Sequence, residues 1–76
     1  MKIKVVEIGL KELGLEVVER EYQDPVRDAV RAKLNKDDIT DRDPEIVFFK
    51  KQDTEYAVVG FNADGHGCVT FYKIKD

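Results

Sequence analysis

Three apolar runs separated by short polar breaks fill the C-terminal stretch from Ile46 to Asp76, and they restrict the fold more than any other feature. The runs cover residues 46–51, 55–62 and 68–75. Each has strand length and is rich in β-branched and aromatic side chains. The breaks at 52–54 and 63–67 are short enough for hairpins, and Gly65 and Gly67 supply turn chemistry in the second. An antiparallel meander follows. Alternation along a strand puts Ala57, Val59 and Phe61 on one face and Tyr56, Val58 and Asn62 on the other. In the last strand Val69 and Phe71 oppose Thr70, Tyr72 and Ile74. Joining the all-apolar sets makes a core face of Ala57, Val59, Phe61, Val69 and Phe71. A second, semi-apolar face then carries Tyr56, Val58, Thr70 and Tyr72.

The upstream half supplies the cover. Asp24 before Pro25 is an N-cap followed by a residue suited to the first helical position, and Asp28 complements the positive end of the helix dipole. Val26, Ala29, Val30, Lys33 and Leu34 form the inward stripe of this helix, Arg27 and Arg31 face outward, and Asn35 is a reasonable stop. Residues 2–8 alternate and read as a strand. Residues 9–14 fit either a hairpin loop or a short helix ended by Gly14, with the two-strand reading preferred. The expected architecture is α+β: a two-layer sandwich in the order β-β-α-β-β-β, with a mainly antiparallel sheet and one helix on one face.

At 76 residues the chain is expected to form a single domain of modest stability, for which dimerisation is one available support. Its 42% hydrophobic content and clear periodicity argue against disorder, and no apolar run approaches a membrane span of about 20 residues. The N-terminal residues lack the apolar segment of a signal peptide, and a single cysteine makes no internal disulfide. Both point to a cytoplasmic protein. A charged fraction of 38%, dominated by Lys, Glu and Asp, leans towards a thermophile's composition. The net charge of −3 argues against general affinity for polyanions.

No catalytic or cofactor motif is present, and nothing resembles a specific family. Asp64, His66 and Cys68 offer oxygen, imidazole and thiolate donors at alternate positions, but one histidine and one cysteine fall short of a structural zinc set. A hairpin loop with an exposed histidine is the simpler reading, and the same residues lack the orienting group a Cys/His nucleophile needs. The acidic run around Asp37, Asp38, Asp41 and Asp43 fails the calcium-loop register, because Ile46 stands where glycine is required. Lys50, Lys73 and Lys75 interleave with aromatics, a vocabulary shared with sheets that stack single-stranded nucleic acid, although core and edge-strand roles explain them more simply. The sequence therefore points to a non-enzymatic module. Tyr56, Val58, Thr70 and Tyr72 are expected to bind another protein or a second copy, with no cofactor, metal or membrane.

Overall fold

The computed structural model describes residues 4–75. Two helices and four strands follow in the order α1 (Val5–Glu12), β1 (Glu16–Val18), α2 (Pro25–Lys36), β2 (Glu45–Lys51), β3 (Thr54–Ala63) and β4 (His66–Lys75). All strand neighbours are antiparallel, and the sheet order is β1-β2-β3-β4. The α+β class and the antiparallel meander are as expected. The first element is different: residues 5–8, expected as strand, open a helix, while Lys2 and Ile3 lie outside the described residues. The order of elements is accordingly α-β-α-β-β-β, and each face of the sheet receives a helix.

The cause of the helical N-terminus lies far away in sequence. Lys4, at the N-cap position, makes no side-chain cap. The Glu45 carboxylate of β2 takes that role, its two oxygens accepting from the Val6 and Glu7 amides at 3.1 Å each. Two otherwise orphaned donors are thereby satisfied, and the negative charge sits at the positive end of the helix. Val6 and Leu10, one turn apart, then face the sheet. At the far end Gly14 adopts a φ of 78°. Gly14 N–H donates to Lys11 C=O at 3.0 Å and Leu15 N–H to Leu10 C=O at 3.1 Å, the paired bonds of a Schellman ending. Helix α2 is capped as expected by Asp24, whose side chain accepts from Val26 N–H at 2.8 Å. It ends in the same motif, with Asp38 at φ 57° in the glycine position and Ile39 N–H reaching Leu34 C=O at 3.0 Å. In both endings the residue after the left-handed one, Leu15 or Ile39, folds back into a core cluster.

The sheet separates two cores. On the α2 side Val30 and Leu34 pack with Phe48, Ala57 and Val59, joined by Ile46, Phe61, Tyr72 and Ile74. On the α1 side Leu10 packs with Val47, Phe49 and Val58, joined by Val6, Leu15, Val17 and Tyr56. Arg27, expected to face outward, instead lies over the Phe48 ring, its guanidinium carbon 5.3 Å from the centroid.

Helix α1 sits close to the sheet because of one glycine. A Cβ placed on Gly60 would come 2.9 Å from Val6 Cγ2. Gly60 has no positive φ, so the requirement is for space alone. Gly60→Ala is expected to lower stability by about 1–3 kcal/mol through overpacking. Adding Val6→Ala should recover part of that loss in urea titrations, and an unchanged midpoint for Gly60→Ala would show that no close approach exists.

Candidate interaction surface

The β3–β4 hairpin turns on two residues, Asp64 and Gly65, with φ of 51° and 80°. Both central residues being left-handed is the signature of a type I′ turn, the form an Asp-Gly pair favours. The turn fixes the register: Ala63 opposes His66, Phe61 opposes Cys68, Val59 opposes Thr70, and Ala57 opposes Tyr72. Residues directly opposite share a face. Ala57, Val59 and Phe61 therefore lie with Thr70, Tyr72 and Ile74 on the α2 side, whereas Tyr56, Val58 and Gly60 lie with Lys73, Phe71 and Val69 on the α1 side.

This corrects the expected faces. Val69 and Phe71, assigned to the core, are 56% and 62% exposed. Tyr56, Val58, Thr70 and Tyr72 do not form one surface. Tyr56 stacks on Phe49 with ring centroids 5.2 Å apart, and Val58 is buried. Thr70 and Tyr72 are on the opposite side. There Lys33 Nζ lies 5.6 Å from the Tyr72 ring centre, and the Tyr72 hydroxyl donates to Asp37 Oδ2 at 2.7 Å. Desolvation, followed by the neighbouring Asp37 carboxylate, raises the Tyr72 pKa above its ordinary value.

What replaces the expected surface is a strip along the open edge of the sheet. Helix α1 rests over β2 and β3, with Val6 against Gly60 and Leu10 against Val47 and Val58. Its Glu7 flank borders the depression where β1 ends. On α1, Val5 and Ile8 are exposed, at 66% and 51%. Val69 and Phe71 form an exposed apolar strip on the α1 side of β4. Strand β4 is ten residues long and contains no proline, and among the described residues no strand pairs with its outer side, whereas the opposite edge strand β1 has only three residues. Natural sheets ordinarily shield long edges of this kind.

The chemically richer residues do not converge. Asp64 occupies the turn, and His66 and Cys68 stand two positions apart on one face of β4. Among the described residues no group of three or more His, Cys, Asp or Glu side chains could hold a metal ion. The acidic linker has structural duties: Asp41 accepts from Asp43 N–H at 3.0 Å and from Asn62 N–H at 2.9 Å. A depression of about 280 Å³ lies at the end of β1, lined in part by Glu7, Arg20, Arg27 and Glu45. Three of these groups are engaged: Glu45 caps α1, Arg20 binds Asp24 and Glu55, and Arg27 donates to the carbonyls of Glu21 and Arg20. Among the described residues no buried side-chain polar atom lacks a partner, and no helix is long and apolar enough to cross a membrane. Compared with known proteins, the chain matches no family model, no curated protein and no solved structure.

The exposed strip was partly legible beforehand. The Asp-Gly pair is the strongest short hairpin signal. Taking it as a two-residue turn places Val69 and Phe71 opposite Gly60 and Val58 without further information.

Proposed function

We propose that this chain is a non-enzymatic protein-interaction module that engages its partner through the outer edge of β4 and the adjoining apolar strip. The observation that carries this reading is the 62% exposure of Phe71 on a ten-residue edge strand. An aromatic side chain of this size gives substantial binding energy when a partner buries it, and the free backbone groups of the edge offer a second source through strand addition. The charged depression at the end of β1 supports the reading indirectly, because Glu45, Arg20 and Arg27 there already hold partners within the fold.

The test compares tagged wild-type and Val69→Lys/Phe71→Lys baits in nuclease-treated extract containing untagged copies of the chain. A protein retained by the wild type, whether another copy or a different chain, is expected to be lost with the variant. Its thermal unfolding should remain cooperative, with stability within about 1 kcal/mol because both sites are exposed. Equal retention by the two baits overturns the assignment. Retention that vanishes on nuclease treatment transfers the surface to nucleic-acid binding.

A further inference from the structure

We infer that the occupant of the β4 edge is a second copy of this chain, paired antiparallel about a twofold axis through Thr70; the inference rests on the interaction-module reading. It follows from the pattern of β4 itself. In the hairpin the closing pair Ala63 and His66 exchange hydrogen bonds, so Cys68, Thr70 and Tyr72 also turn their backbone groups towards β3. The N–H and C=O groups of Gly67, Val69 and Phe71 consequently point to the open edge.

Antiparallel pairing about Thr70 matches these groups without gaps. Val69 comes opposite the partner's Phe71 and exchanges both backbone hydrogen bonds with it, and Phe71 does the same with the partner's Val69. Thr70 meets the partner's Thr70 as a non-hydrogen-bonded pair, and Cys68 meets the partner's Tyr72. Because the twofold axis is perpendicular to the sheet, faces are preserved. The two α1 helices stand on the same side of a continuous eight-stranded sheet, the side that carries the apolar quartet of Val69 and Phe71 from each copy.

Charge and shape reject the neighbouring registers. An axis through Phe71 sets Val69 against the partner's Lys73, and one through Tyr72 sets Phe71 against it. An axis through Val69 leaves Phe71 over the bare backbone of the partner's Gly67. The Thr70 axis instead puts Lys73 opposite that glycine, with the lysine-bearing ends of the two strands apart. Parallel pairing would stack like charges along the edge. The strand is self-complementary in one register, and that register covers its exposed apolar side chains.

Two measurements test the proposal. In sedimentation equilibrium the native protein is expected at twice 8.7 kDa, and Val69→Lys/Phe71→Lys at 8.7 kDa. Amide exchange of Val69 and Phe71 should slow at least about tenfold from dilute to concentrated protein, while Thr70, bonded within its own hairpin, changes little. Register is read from Cys68→Ser/Thr70→Cys, which should form a disulfide-linked dimer with oxidised glutathione because non-hydrogen-bonded pairs bring Cα atoms to about 4.5 Å. Cys68→Ser/Tyr72→Cys should not. A native monomer at millimolar concentration overturns the inference, and leaves the interaction module intact if a different protein is still captured through Phe71. A native dimer in which the Tyr72→Cys chain cross-links and the Thr70→Cys chain does not overturns the register.

Discussion

Phe48→Ala is expected to lower stability by about 3–5 kcal/mol, a large share of what a chain this size holds. Phe48 is 1% exposed at the centre of the α2-side core, among Val30, Leu34, Ala57 and Val59. Arg20 and Arg27 close over the ring, with guanidinium carbons 5.1 and 5.3 Å from its centroid. Removing a buried phenyl group costs about 3–5 kcal/mol from lost burial and the cavity left behind. Two cation–π contacts vanish with it. At 0.05–0.15 kcal/mol per residue, a chain this size holds only about 4–11 kcal/mol in all. Phe71→Ala supplies the control, since it removes the same group from the same sheet at a position 62% exposed. Its effect on monomer stability should stay below about 1 kcal/mol. Urea titration followed by far-ultraviolet circular dichroism distinguishes the two. A loss under about 2 kcal/mol for Phe48→Ala would mean that the core is not centred on this ring.

The contrast between these two phenylalanines also shows where the amino-acid pattern is sufficient and where it is not. Local signals carried the meander, the Asp24–Pro25 start of α2 and the membership of each alternating set, because caps and strand periodicity depend on residues close in sequence. The assignment of Phe71 to a face depended instead on register, which changes with the number of residues allotted to the turn. A five-residue loop at 63–67 sets Phe71 opposite Val59 on the core face, and the two-residue Asp-Gly turn sets it opposite Val58 on the other. The N-terminal helix was less accessible. Val5, Val6 and Ile8 are β-branched residues that alternate passably as strand, and the carboxylate that caps them belongs to Glu45, almost forty positions away. A tertiary cap has no local signature. The expected interaction residues Tyr56, Val58, Thr70 and Tyr72 are divided between two faces for the register reason alone.

Arg20→Met is expected to lower stability by about 2–4 kcal/mol, more than any surface ion pair would, because it strands a carboxylate in the interior. Arg20 lies just beyond β1. Its Nε donates to Glu55 Oε1 at 3.1 Å and one terminal nitrogen reaches the same oxygen, while the other grips both oxygens of Asp24 at 3.1 and 3.0 Å. Glu55, at the start of β3, is only 8% exposed. The guanidinium therefore ties the exit of β1 to the α2 cap and the β3 hairpin while covering Phe48. Its hydrogen bond to Glu55 chiefly raises the Arg20 pKa above its ordinary value, so its charge persists throughout the range in which the fold is studied. The Asp24 carboxyl is held below its ordinary value, first by the Val26 amide and then by Arg20. A depressed carboxylate stabilises the folded state above its unfolded pKa, and that contribution fades as pH falls through the folded value. Asp24→Asn should consequently flatten the acid side of the stability profile.

The decisive comparison adds Glu55→Gln to Arg20→Met. If the loss comes from an uncompensated charge, the double variant regains at least a third of it; if it comes from lost cover over Phe48, the second change recovers nothing. Arg20→Lys should rescue poorly in either case, since a single ammonium cannot span Asp24 and Glu55 as the planar fork does.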